Sequence, residues 1–571
     1  MKSWFRKLFL LAAGVPILGI APAARAQESI ESRLERLEKQ NEELRKRNDE
    51  LLNRLSASPA PVSTDPGAVL HREDVNKIID EYLTGVEKKK VEEKKATDPW
   101  YQVGTNLKMS ATWKNGFVVN TPNDDFSLHV GGWIQYDNVF WTQSKALLTP
   151  KGGALPPGPT AASGPAVGGI GDLQDGMYFR RERIMLDGKF WENFEYTLIF
   201  AFENDTFSTN GLDEFWVGAT NIPIIGTARI GHVKNCVGLE GDMTASSRTM
   251  TFMERSSYSE AIEQNENFVT GLWLGNNYFD QRATWSGVIF RQDPGSSTGA
   301  YFGDGQWGWQ GRLTSLPIYA NDGRCLLHLG LSGGWRNGVS NNVVSTLRQF
   351  QLRARPELRD DDPAGAFSGG VGANGNSNRM VDTGVIVAQR EWLAGLELLY
   401  INGPFSLQAE YGWNWIDGAQ GINPAGFVLN PAFAARQNYL FSGGYVQLAY
   451  TLTGENRSYD KRLGRLDSYY FGRKGLNENA YFVRGEDGSL QWGLGAWEIA
   501  ARYSYLDLND GSGATTINGG RMDGFTVGLN WYLNDNLKFQ FDWVYDRRKE
   551  LPAAVLPGYT SGFGMRMQFM Y

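Results

Sequence analysis

Arginine is the residue whose placement in this chain most invites a chemical reading. Arg502 in AWEIAARYSY and Arg566 in GFGMRMQFMY each stand opposite an apolar alternation. Arg353 and Arg355 in LRAR share one parity, so a single strand face could carry both. A guanidinium presents its donors in a fixed fork that fits carboxylate or phosphate. Aimed into a wet space, such groups guide anions; paired with acids, they hold a wall together. Both readings stay open for these four side chains. Other chemistry has little material, since the chain holds 4 His and 2 Cys. His71 precedes the strand-rich part, and no nucleophile motif accompanies His129, His232 or His328, so no enzyme is expected. Cys236 and Cys325 form no CxxC pair, which argues against zinc or iron–sulfur, while a disulfide between them stays open. No metal or cofactor is expected. Lys+Arg 56 against Asp+Glu 63 gives a net charge of −7 and no basic footprint for nucleic acid.

The elements that must position those arginines are read from period. From about Tyr101 the pattern alternates with period 2. FSLHVGGWIQYDNVF puts Phe126, Leu128, Val130, Ile134, Tyr136 and Phe140 opposite Ser127, His129, Gln135 and Asp137. FEYTLIFAF, AWEIAARYSY and LKFQFDWVYD repeat the pattern, each with aromatics on one face. Strands of about ten residues with aromatic ends are long enough to cross hydrocarbon when tilted. The segment Phe563 to Tyr571 alternates fully, and as an open edge it would aggregate; closing onto the first strand removes that edge. Short turns such as Trp531 to Asn536 contrast with long Gly/Pro-rich stretches at 143–176, 358–379 and 417–437. Together these point to an all-β fold, a transmembrane 16-stranded antiparallel barrel over residues 101–571, with an aqueous lumen. Sixteen to eighteen alternating runs are candidates.

Before the barrel three segments differ in kind. Residues 1–26 read as a signal peptide, with Lys2, Arg6 and Lys7, an apolar run Leu8 to Ile20 and a small-x-small site at Ala24-Arg25-Ala26. Residues 27–55 carry a heptad seam, with Leu34, Asn41, Asn48 and Leu55 at a and Ile30, Leu37, Leu44 and Leu51 at d. Such a seam needs partners and predicts a self-associating coiled-coil stalk about 40 Å long. Residues 56–100 are a Pro/Ser linker followed by a charged amphipathic helix. The expected place is the outer membrane, with the stalk in the periplasm and membrane lipid around the barrel. A cell-wall contact through the stalk stays open.

The strings FSLHVGGWIQYD, YFRRERIMLDG, LDEFWVG, FMERS, LTGENRSYD, GAWEIAARYSYLDLNDG and VGLNWYLNDN occur in order over roughly residues 125–571. In them the chain resembles the phosphate-selective porins of Gram-negative outer membranes. The resemblance implies a homotrimer of sixteen-stranded barrels, an inward-folded third loop and an arginine ladder that guides anions such as phosphate. The alternating C-terminal strand ending on the aromatic Tyr571 also resembles the signal read by the bacterial barrel-assembly machinery. The family resemblance transfers best at Arg180 and Arg181; adjacent residues on an ideal strand face opposite ways, so both line the pore only near a strand end or a bulge. Arg183 shares the parity of Arg181. Pairing with Glu182, Asp213 or Glu498 is the alternative role for these arginines. The span 235–255 matches the constriction loop and supplies Arg248 and Arg255, and Asp213 matches an acid beside the site. Gly241 and Asp242, Trp133 and Glu195 stand where the resemblance leads one to expect basic residues. Passive passage of small hydrophilic anions is therefore expected, with a weakly selective or cation-tolerant pore, its stalk also tethering the outer membrane to the cell wall, as the alternative.

Overall fold

The structure is a computed structural model. It describes residues 103–148, 169–202, 212–241, 248–263, 268–291 and 307–337, and 339–571 apart from 341–347, 360–378, 420–436 and several shorter breaks. The signal segment, heptad stalk and linker lie outside the described residues. A compact unit begins at Asp98.

Sixteen strands among the described residues form one closed antiparallel sheet. They are β1 (Ser127–Gln143), β2 (Gly176–Phe190), β3 (Phe194–Ala201), β4 (Leu212–Ile222), β5 (Gly226–Lys234), β6 (Phe268–Tyr278), β7 (Ala283–Arg291) and β8 (Trp307–Ala320). The others are β9 (Cys325–Asn337), β10 (Arg390–Asn402), β11 (Phe405–Ala419), β12 (Gln437–Thr451), β13 (Ala496–Asp510), β14 (Ile517–Tyr532), β15 (Leu537–Lys549) and β16 (Gly558–Met570). Each pairs with its neighbour in sequence, and β16 closes on β1 from Thr560↔Gln143 to Met570↔Trp133. An extra hairpin, Ser110–Trp113 with Phe117–Asn120, pairs with the foot of β1 and stays outside the closure.

Alternation decides which face is wet. Along β15, Lys538, Gln540, Asp542, Val544, Asp546 and Arg548 are buried inward, while Phe541, Trp543 and Tyr545 point out. Outward residues such as Ile230, Leu313, Leu331 and Phe563 are exposed by 69 %, 58 %, 51 % and 41 %. A continuous apolar belt of this kind exceeds what a soluble protein leaves in water, and hydrocarbon removes the cost.

One end of the barrel carries short turns: 191–193, 223–225, 279–282, 321–324, 403–404 and 533–536. Asn321 and Asp322 take the left-handed backbone that a tight hairpin turn needs. The other end carries the long loops. The expected asymmetry has one exception. The connection from β12 to β13, residues 452–495, leaves from the turn end and reaches lumen-facing groups. Arg457 Nη1 donates to Gln408 Oε1 at 3.3 Å, Tyr470 Oη to Glu498 Oε2 at 2.6 Å, and Tyr459 Oη lies 2.8 Å from His328 Nδ1.

The two cysteines are free thiols, so the disulfide left open by their spacing is not formed. Cys236 is buried just after β5, and Cys325 opens β9. Burial pushes the Cys236 thiol up to about 12.

Candidate functional site

Arg180 and Arg181 both face the lumen, and the cause is a bulge. The β1–β2 register passes from Gln135↔Arg181 to Tyr136↔Phe179, leaving Arg180 as the extra residue. They are 7 % and 5 % exposed. Their contacts reach beyond the acids expected from sequence, Glu182, Asp213 and Glu498. Arg180 holds Glu254 of the third long loop (loop 3, residues 235–267), Nε to Oε1 at 2.8 Å and Nη2 to Oε2 at 3.2 Å. Arg181 Nη1 donates to Gln135 Oε1 at 2.8 Å and lies 4.0 Å from Glu254.

Glu254 is a hub. Arg566 Nη2 reaches its Oε1 at 2.9 Å while gripping Asp137 through two 2.6 Å bonds, and Arg359 Nε stands 3.9 Å away. Burial pushes the Glu254 carboxyl up, but the guanidinium groups of Arg180, Arg181, Arg566 and Arg359 prevail and hold it well below the usual range. Beside it Glu260 takes Arg355 through its backbone N–H (2.8 Å) and Nη1 (2.9 Å), and Arg379 Nη1 at 2.6 Å. Burial raises this carboxyl, yet Arg379 and then Arg355 bring it to about 2. Arg353 lies across a two-residue ladder from Asp382. Arg353 and Arg355 therefore do not share a barrel strand face, as their parity allowed; both belong to the fifth long loop (loop 5, residues 338–389), which folds inward. Counting Arg180, Arg181, Arg353, Arg355, Arg359, Arg379 and Arg566 against Asp137, Glu254, Glu260 and Asp382 gives seven minus four, an excess of three positive charges.

The remaining arginines hold the loops. Arg502 is 1 % exposed, bonds Glu357 (2.8 Å) and Glu240 (3.0 Å), and lies over the Phe252 ring. Arg255 Nε donates to the Glu240 carbonyl oxygen at 2.6 Å. Arg248 lies 4.9 Å over the Trp133 ring, and Asp213 pairs with Arg183. Acids do the same, Glu410 and Asp542 from the wall and Glu357 from loop 5. Glu410 accepts from the backbone N–H of Leu239 (2.5 Å) and Glu240 (2.9 Å), Asp542 from Met253 (2.6 Å), and Glu357 from Ser257 (2.7 Å). Loop 3 is thus strapped at its start and middle by charge-assisted bonds.

The wall from β8 to β11 carries its arginines in pairs with acids. Arg312 grips Glu397 at 2.6 and 2.8 Å, and Arg336 grips Glu391. Glu410 on β11 and Glu263 on loop 3 add two more carboxyl groups. Arg359, Arg379 and Glu260 went unnoticed in the sequence because loops carry no alternation; the cue for the two arginines was their flanking of the Gly/Asp-rich stretch 360–378.

The family model "Phosphate-selective porin O and P" matches residues 166–571. The chain belongs to this family. Porin O of Pseudomonas aeruginosa is 25% identical over 475 residues, covering 80% of this chain and 91% of that protein. An uncharacterized protein of Caulobacter vibrioides is 27% identical over 300 residues, 51% of this chain and 48% of its own length. A loop-deleted OmpT of Vibrio cholerae overlays with a TM-score of 0.40 at 9% identity, covering 78% of this chain and 100% of that one, too loose a likeness to argue from. Family and closed barrel together make this an outer-membrane porin, a channel.

Proposed function

We propose that this porin passes small hydrophilic anions, phosphate among them, by passive diffusion and with modest selectivity. The observation that carries the reading is the excess of three positive charges where loops 3 and 5 meet β1, β2 and β16. Fixed lumen charge sets ion preference by its field, with no chemistry performed. Arg180, Arg181 and Arg359 are the guiding groups. The family name agrees. Selectivity is modest because Trp133 and Glu195 stand where basic residues are expected. The same two positions favour a second reading, a general pore that tolerates cations. The porin is taken to be a homotrimer, delivered by its signal segment and the barrel-assembly machinery, with its heptad stalk in the periplasm and able to reach the cell wall.

Planar-bilayer recording of the purified protein tests the reading. A reversal potential of anionic sign in a KCl gradient, with phosphate reducing chloride current, is the expected result. A cationic reversal potential sinks it in favour of the second reading.

A further inference from the structure

The connection from β12 to β13 changes sides at the rim of the barrel. Its first part stands in the lumen through Arg457, Tyr459 and Tyr470. Its last part is fastened to the outside of the wall. Trp497 on β13 and Trp531 on β14 point away from the lumen, next to inward Glu498 and Asn530, and their rings stack at 5.1 Å and 14°. Both indole N–H groups donate to the Leu494 carbonyl oxygen, at 3.0 and 2.9 Å. The Ala480 N–H donates to the Leu533 carbonyl oxygen at 2.9 Å, and the Leu452 N–H to that of Trp497 at 2.7 Å. Gly495 takes a left-handed φ of 65°, and a Cβ there would lie 2.3 Å from the Tyr532 carbonyl oxygen, so glycine is what lets the chain drop onto the end of β14. A two-residue ladder, Val483↔Gln491 and Arg484↔Leu490, ties the limbs of this hairpin together.

The hairpin is apolar where it is open. Leu490, Trp492 and Leu494 are exposed by 64 %, 67 % and 62 %, and Tyr481 by 43 %. The belt residues Phe525 and Trp543 stand at 42 % and 43 %, so the hairpin offers apolar surface at least as freely as the belt does. A patch of this size left in water is costly, and it marks a contact. Its neighbours say with what. Outward aromatics mark both ends of β13 and β15, Trp497 and Phe539 at the turn end and Tyr505 and Tyr545 at the loop end. A wall with a girdle at each end faces lipid, and short turns lie on the periplasmic side. The hairpin continues that wall from its turn-end girdle. Two turns at the same end also carry open apolar tips, Ile224 and Phe279.

We propose that Tyr481, Leu490, Trp492 and Leu494 form a lipid-binding face that dips into the periplasmic leaflet of the outer membrane beside β13 and β14, with phospholipid acyl chains as its partner. It lies in the interface as an amphipathic surface element does, adding to the area held by the belt. One connection then has a lumen half and a membrane half. The wall joins them at adjacent residues: Glu498 accepts from Tyr470 inside, and Trp497 donates to Leu494 outside.

The test is photo-crosslinking of the full-length protein in phospholipid vesicles that include phosphatidylethanolamine with a diazirine in its acyl chain, with adducts located by mass spectrometry. Wild type is expected to carry adducts on residues 490–494 as well as on the outward residues of β15, which serve as the internal control. Trp492→Ser/Leu494→Ser is expected to lose the hairpin adduct and keep the one on β15. Labelling of β15 without labelling of 490–494 overturns the proposal, whether water or a neighbouring subunit covers the face. So does a hairpin adduct that the double substitution leaves undiminished. Should the double variant not fold, Trp492→Ser alone is read in the same way.

Discussion

Arg359→Gln and Glu254→Gln perturb one cluster in opposite directions. Around Glu254 stand Arg180, Arg181, Arg359 and Arg566, with Asp137 as the second acid, so the local charge is four minus two, or +2. Arg359→Gln makes it +1 and Glu254→Gln makes it +3. Arg359 is the least entrenched of the four, with its side chain 28 % exposed and its acid 3.9 Å away. For an ion passing about 6 Å away in water, one unit charge is worth roughly 0.7 kcal/mol. Screening roughly halves this at 0.15 M salt and cuts it to about a seventh at 1 M. At 0.15 M that is about 1.7-fold more or less of an anion and the inverse for a cation, so roughly threefold in the permeability ratio. At 1 M the ratio moves by less than about 1.5-fold. Reversal potentials in KCl gradients centred on these two concentrations read both numbers. Arg359→Gln lowers the chloride-to-potassium ratio about threefold at 0.15 M, and Glu254→Gln raises it by a similar factor. Two variants shifting the same way, no shift in either, or a shift undiminished at 1 M would refute the claim that this cluster faces permeating ions.

Charge reversal at the bulge, Arg180→Glu or Arg181→Glu, moves the reversal potential toward cations; potentials unchanged at both positions defeat their guiding role. Glu260 gives the loop 3–loop 5 contact a pH window. Its folded value is depressed from near 4.5 to about 2, so its stabilisation is present above the unfolded value and is lost as pH falls toward 2. Single-channel noise should therefore rise between pH 4.5 and 2 in wild type and show no such step in Glu260→Gln; a wild-type trace as flat as the variant's contradicts the assignment. Buried Cys236, with its thiol pushed to about 12, resists maleimide in the folded barrel at neutral pH while half-buried Cys325 reacts first; equal labelling of both tells against the packing around Cys236.

The barrel was legible because its period is the physical requirement of a wall greasy outside and wet inside. Parity placed Arg502 and Arg566 in the lumen, and both are there at 1 % exposure. Their work was not legible, since it depends on partners far away in sequence. Arg566 meets Asp137 across the closing seam and Glu254 on loop 3; Arg502 meets Glu240 and Glu357 on two different loops. The conflict between adjacent Arg180 and Arg181 was visible, and its solution, one extra residue in β2, needed the β1–β2 register. Two stretches broke the pattern altogether. Loop 5 carries Arg353, Arg355, Arg359 and Arg379 at irregular spacing, and residues 452–495 enter from the end where turns are short, so no period or length rule pointed to either.

The departures from the family pattern gain a different meaning in the folded barrel. Trp133 replaces an expected cation, but its ring lies under Arg248 at 4.9 Å and near Arg183 at 5.7 Å, so guanidinium groups still converge there through cation–π contacts. Glu195 replaces another, and Arg229 neutralises it at 2.9 Å between the rings of Trp216 and Trp273. Neither substitution leaves a free acid. Loop 5 brings Arg353, Arg355, Arg359 and Arg379 inward, where they meet Asp382 and, on loop 3, Glu254 and Glu260. A charge carried on a folded-in loop moves with that loop, whereas one on a strand does not. Selectivity in this porin is thereby coupled to whatever holds loops 3 and 5 in place: the carboxylate straps, the Arg502 bridge between Glu240 and Glu357, and the Glu260 contacts.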